Sequence, residues 1–190
     1  MQYTPTLRAV ALGAALAFGL AAAQASVLNF DDLPDGQLPL SYGGLDWSAA
    51  GWTAFATPFA PYTPSSGAGR VATGFLADDA SSLIRFGAPA SFQGAFFAGQ
   101  GGALLGFDLF LDGQLVHSSA RLDPSATPSF LASGYAGLVD AVVVRSANHG
   151  EFVMDDFTFT AAVPEPESYA LMLAGLAGIA CVVRRRQPQA

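Results

Sequence analysis

Between Ser26 and Thr160 the apolar positions do not recur at the three- and four-residue spacing of an amphipathic helix. They gather in short runs of aromatic and β-branched residues, separated by Gly, Pro, Ser and Asp, as strands and turns require. SVLNFDDL is ended by PDGQLP, and GGLDWSAAGWTAF leads into a Pro/Gly/Ser-rich excursion, ATPFAPYTPSSGAGRVATG. Strand candidates resume with SSLIRF, SFQGAFFAG, ALLGFDLFLDGQLVHSSARL, YAGLVDAVVVRSA and EFVMDDFTFTA. About eight short strands predict an all-β fold, a single jelly-roll-like β-sandwich. Helices that a Rossmann-type fold would need between strands are missing, and no internal repeat points to a propeller or solenoid.

The clearest local prediction is a hairpin in GFDLFLDGQLVHSS. Asp112-Gly113 separates two extended runs, and both residue types tolerate the positive φ of a type I′ turn. Phe107, Leu109 and Leu111 share one face, with Asp108 and Phe110 on the other.

Both ends of the chain differ from this middle. The first 25 residues carry an early Arg8, an apolar stretch and the small-x-small sequence Ala23-Gln24-Ala25. They read as a signal peptide cut after Ala25 by signal peptidase, and so stand outside the fold. At the other end, residues 161–190 hold VPEP, an apolar run from Tyr169 to Val183, and Arg184-Arg185-Arg186. That run is shorter than the roughly 20 residues of a spanning helix. With flanking residues and snorkelling arginines it reads as a short transmembrane-like helix, with the arginines on the cytoplasmic side. Residues 26–160 are then an ectodomain.

The ectodomain has 13 acidic residues against four arginines, and the whole chain contains no lysine. Such a surface would not neutralise phosphates, so nucleic acid is excluded as an expected partner. The ectodomain also has no cysteine and cannot form disulfides. Cys181, in the C-terminal run, reads as a small apolar residue.

Asp-Asp occurs at Asp31-Asp32, Asp78-Asp79 and Asp155-Asp156. Neighbouring strand residues point to opposite faces, so each pair is not expected to act as one two-carboxylate site. In FVMDDFTF, Asp155 is in phase with Val153, Phe157 and Phe159, and Asp156 with Phe152, Met154 and Thr158. Either phase brings a carboxylate towards the core, where it needs compensation. One solution is a structural Ca2+ held by Asn29, Asp31, Asp32, Asp155 and Asp156, if the first and last strands are neighbours. The alternative is that these aspartates cap turns or lie solvated at strand ends.

Catalytic constellations are scarce. His117 and His149 are the only histidines, no zinc-ligand spacing exists, and no Gly-x-Ser-x-Gly elbow occurs. The expectation is a non-enzyme. The competing reading, an exported hydrolase, would need distant aspartates such as Asp108 or Asp140 to converge with Asp155. A glycan-binding role would instead use exposed aromatics, with Trp52, Phe59 and Tyr62 as candidates, whereas Trp47 reads as core.

Pro164-Glu165-Pro166, the Gly-containing apolar run and the Arg184–Arg186 cluster resemble a PEP-CTERM sorting signal. The resemblance implies a substrate of an exosortase, a membrane transpeptidase-like enzyme of Gram-negative bacteria. It implies export, a transient inner-membrane tether, and release to the outer surface or extracellular matrix among exopolysaccharide and biofilm. FDDLP, YGGLDW, LDGQLVHSS and FVMDDFTF resemble a recurring class of exported β-sandwiches with this tail, some similar to carbohydrate-binding modules. The implied role is structural or adhesive, with exopolysaccharide as a partner.

Overall fold

A computed structural model describes residues 24–49, 51–74, 82–162, 172–177 and 179 of the chain. Chain contacts separate a unit of residues 23–163 from a second one made of the two termini. The larger unit is all-β, as the residue pattern predicts. Its strands are β1 (Ala25–Leu28), β2 (Gly36–Gln37), β3 (Ser41–Tyr42), β4 (Leu45–Asp46), β5 (Thr53–Phe55) and β6 (Arg70–Ala72). They are followed by β7 (Leu83–Gly99), β8 (Gly106–Leu111), β9 (Gln114–Ser118), β10 (Ser129–Ala132), β11 (Leu138–Arg145) and β12 (Phe152–Ala161).

All twelve belong to one antiparallel hydrogen-bonded network, ordered β2-β5-β6-β12-β7-β11-β8-β9. β1 pairs with β12, β10 and β4 pair with β7, and β3 pairs with β4. The pairing therefore does not divide into two separate sheets. The network nevertheless curls. Ile84 pairs with Val142, which pairs with Leu109, so the start of β7 lies two strands from β8. Phe97 would lie roughly 40 Å further along a straight β7. Its ring is instead 5.7 Å from that of Phe107 on β8.

β7 joins two runs that the sequence pattern separates, SSLIRF and SFQGAFFAG. Pro89 lacks an N–H and should end a central strand. It is tolerated because the β11 ladder is irregular here, passing from Arg85 to Ala90 while its own register shifts between Val139 and Ala141. A further irregularity accompanies Gly94, with φ of 143°. Before it the buried apolar residues of β7 are even-numbered (Ile84, Phe86, Ala90, Phe92), and after it Ala95 and Phe97 take over in the same core. A bulge resets the inward face in this way.

β12 makes the matching change. Phe152 and Met154 enter the main core, then Phe157 and Phe159 do. The switch falls at Asp155-Asp156, where the register with β7 shifts and Asp156 has φ of 48°. Strict alternation therefore fails at the pair where it was used to assign faces. The Asp112-Gly113 hairpin matches its sequence signal, with φ of 51° at Asp112 and 72° at Gly113. The SFLA strand, β10, had no comparable signal, being short and flanked by Pro and Ser.

The main core runs from Phe30 to Phe159 and includes Trp47 and Trp52, in edge-to-face contact at 5.5 Å. Phe157 is its hub, meeting the rings of Trp47, Phe86, Phe92 and Phe159. A second, smaller patch lies on the opposite face of β6 and β12. Ala72, Ala98 and Val153 are buried there, with Phe55 and Tyr62 packed on them. What covers this face is the 56–69 loop joining β5 and β6.

Removing the hub should leave a large cavity. Phe157→Ala is expected to lower unfolding free energy by about 3–5 kcal/mol, whereas Val27→Ala, at a half-exposed position, changes it by less than about 0.5 kcal/mol. Chemical denaturation of both variants checks the contrast.

Candidate functional site

The loop that covers the second patch is rich in Pro, Gly and Ser, a composition that by itself does not fix a conformation. Side chains elsewhere supply the missing order. At its start, Asp35 accepts hydrogen bonds from the Ala56 and Thr57 amides and from the Thr57 hydroxyl. These donors, the hydroxyl first, hold the Asp35 carboxyl down at about 2 despite some desolvation. At its end, the Ala68 and Gly69 amides donate to Asp31 Oδ1 at 2.8 and 2.7 Å. A Cβ on Gly67 would collide with the same carboxylate, which is why this approach needs glycine.

The middle of the anchor is Asp155-Asp156. Asp155 Oδ2 accepts from the Ser65 amide (2.8 Å), the Ser65 hydroxyl (3.0 Å) and the Ser66 amide (2.9 Å). Asp155 Oδ1 accepts from the Asp156 amide at 2.7 Å. Asp156 accepts from the Ser65 and Ser66 hydroxyls at 2.6 and 2.9 Å. The expectation that this pair would point to opposite faces is corrected here: the left-handed turn at Asp156 breaks the alternation, and both carboxylates grip one Ser-Ser step. Asp155 is only 2% exposed. Burial is the largest influence on it and raises its pKa to about 6, against the lowering effect of its amide donors.

Arg70 ties the two loop ends together from beneath. Its guanidinium donates to the carbonyl oxygens of Phe55 (3.4 Å), Ala68 (3.1 Å) and Thr57 (2.6 Å). Under the loop so held lies a cavity of about 380 Å³, walled by Phe55, Thr57, Pro58, Phe59, Tyr62, Arg70, Ala72, Thr73, Gly150, Phe152 and Val153. At its rim Phe59, 68% exposed, stacks on Tyr62 with centroids 5.9 Å apart and planes 6° from parallel. The Tyr62 hydroxyl donates to Glu151 at 3.2 Å, and Gln100 Nε2 donates to that hydroxyl at 3.2 Å. The hydroxyl of Thr73, a wall residue, lies 2.9 Å from His149 Nδ1, which is also 2.9 Å from the Ser82 hydroxyl. A second hollow of about 430 Å³ lies over β7, β8 and β11. Its polar residues Arg85 and Asp140 are engaged with Asp46 and the Asp112 amide.

The expected metal ligands are partly gathered. β1 and β12 are neighbours, as that proposal needed, with Leu28 opposite Phe157. Asp31, Asp155 and Asp156 then meet the same loop segment. Their oxygens hold amides and hydroxyls there, while Asp32 accepts from the Tyr42 hydroxyl at 2.6 Å and Asn29 accepts from the Asp31 amide. Among the described residues no three acidic, His or Cys side chains are grouped to hold a metal ion. The aspartates of the hydrolase reading are likewise dispersed. Asp108 pairs with Arg145 at 2.9 Å, Asp140 accepts from Asp112, and Asp155 lies beneath the loop. Asp78-Asp79 lies outside the described residues.

Among the candidate aromatics, Phe59 and Tyr62 stand together at the cavity rim. Trp52 does not: it is 1% exposed in the main core, because Thr53 and Phe55, rather than Trp52 and Ala54, are on the loop side of β5. Sequence reasoning missed Asp35, Ser65, Ser66 and Arg70. The one legible signal was Arg70, a lone charge opening the apolar strand RVA.

The remaining expected site, Pro164, Glu165, Pro166, Arg184, Arg185 and Arg186, falls outside the described residues, as do most of the expected signal peptide and Cys181. Its identity comes from comparison with family models. Residues 162–187 match the PEP-CTERM protein-sorting motif. The PEP-CTERM motif indicates an exported protein sorted by an exosortase towards the surface. No curated protein matches the chain. Among the described residues no helix is long and apolar enough to cross a membrane; the α-helical ones are 172–177 and 179. More than half of the Tyr169–Val183 run expected to form the transmembrane-like helix lies outside the described residues.

The buried Asp155 makes a pH prediction. Its folded pKa of about 6 exceeds the unfolded value near 3.9, so the folded state binds this proton more tightly. Its contribution is fully present below about pH 4 and is lost as pH rises through 6, by up to roughly 3 kcal/mol. Denaturant unfolding between pH 4 and 7 should show this decline in the wild type and a flatter profile in Asp155→Asn. Equal slopes in the two proteins would refute it.

Proposed function

We propose that the β-domain is a non-catalytic structural or adhesive protein of the cell surface or extracellular matrix, which contacts exopolysaccharide through the Phe59–Tyr62 ring pair. The supporting observation is that ring pair: an exposed aromatic platform on a loop held in place by Asp31, Asp35, Asp155 and Asp156. An immobilised aromatic face offers a sugar ring a stacking surface without the entropy cost of ordering a free loop. Glu151 and Gln100, beside the Tyr62 hydroxyl, supply polar groups for sugar hydroxyls. The acidic composition disfavours phosphate-rich polymers as alternatives.

Display follows from the tail. In this reading the signal peptide starts export, the sorting motif retains the chain at the inner membrane, and exosortase processing passes the domain to the surface. The aromatic platform then meets polymer secreted by the same cells.

Exopolysaccharide from the producing cells, immobilised and titrated with the exported protein, tests this role. Phe59→Ala should bind about tenfold more weakly than the wild type, with its circular dichroism spectrum unchanged because Phe59 projects into solvent. Equal binding by the two proteins, or none by either, would contradict the proposal.

A further inference from the structure

Arg70 has a feature that loop anchoring leaves unused. It is 2% exposed, and of the five N–H donors of a guanidinium three are directed at carbonyl oxygens. Its Nε has no hydrogen-bond partner among the described residues. The two ion pairs among those residues, Arg85–Asp46 and Arg145–Asp108, do not include it. The nearest anionic influences, Asp35 and Asp155, are both committed to loop donors. A buried cation without a paired anion is costly, and one that keeps unspent donors costs more.

The rest of the wall is apolar. Phe55, Ala72, Phe152 and Val153 line the same cavity as Arg70. One cationic donor set within an aromatic and aliphatic enclosure complements a small molecule with a single negative charge on a compact apolar body. A sugar ring is poorly served inside, where it would find chiefly the hydroxyls of Thr57 and Thr73. The volume, about 380 Å³, lies in the range of small-molecule sites. The chain's net charge of −7 opposes approach by polyanions more than by a monoanion.

We infer that the cavity behind Phe59 and Tyr62 binds a small carboxylate with an apolar body, the carboxylate on Arg70 and the body against Phe55, Ala72, Phe152 and Val153. This site is separate from the exopolysaccharide contact, which uses the outward face of the ring pair.

Isothermal titration of the exported protein with hydrocinnamate, and with the uncharged hydrocinnamyl alcohol, tests the inference at neutral pH. Hydrocinnamate should bind saturably, and the alcohol at least about tenfold more weakly. Arg70→Lys keeps the charge but loses the planar fork and should weaken hydrocinnamate about tenfold. Since Arg70 also holds the loop ends, the separate variant Ala72→Phe fills the cavity while leaving Arg70 in place. It should abolish binding with an unchanged circular dichroism spectrum. Absence of saturable wild-type binding, equal affinity for acid and alcohol, or undiminished binding by Ala72→Phe would each overturn the inference.

Discussion

The bulge at Asp155-Asp156 is the constraint on which the rest of this site depends. A regular strand would send one of the two carboxylates into the aromatic core, at a desolvation cost no neighbour there could offset. The left-handed turn at Asp156 avoids that outcome and does two further things. It brings Phe157 into the main core, where it meets four other aromatic rings. It also places both carboxylates under the Ser65-Ser66 step, so one local distortion serves the core on one face and the loop on the other.

The acidity of the domain takes on a different meaning in this light. Asp31, Asp35, Asp155 and Asp156 are acceptors for a loop whose own residues form little regular structure. Hydrogen bonds to charged groups are stronger than neutral ones, which suits a Gly/Pro/Ser segment with little side-chain burial of its own. Arg70 completes the arrangement by collecting the carbonyls on both sides of the loop. The result is a covered sheet face and a cavity instead of a freely moving excursion. Carriage of such a domain by a PEP-CTERM motif fits a protein exported towards the surface.

Much of the fold was legible in the sequence because side-chain alternation and turn chemistry act locally. Asp112-Gly113 supplied both positive φ values of its hairpin, and Trp47 was recognisable as core. Where the reading failed, a long-range pairing had overridden a local rule. Pro89 continued a strand because the neighbouring ladder is irregular there, and Asp155-Asp156 lost alternation because β7 carries an irregularity opposite it. The site was less legible still. Phe59 and Tyr62 stood out as loop aromatics, but Asp35 and Arg70 act mainly through backbone groups 13 to 22 positions away, for which sequence spacing carries no signal.

The central claim is that carboxylates hold the 56–69 loop in one conformation. Amide hydrogen exchange, resolved by residue with NMR, measures this most directly at Ser65, Ser66, Ala68 and Gly69. The account predicts that these four amides exchange at least about a hundredfold more slowly than unstructured peptide amides, because each must first break its bond to a carboxylate. Exchange at the unstructured rate would mean that the loop is not anchored, and would contradict the account of both the rim and the cavity.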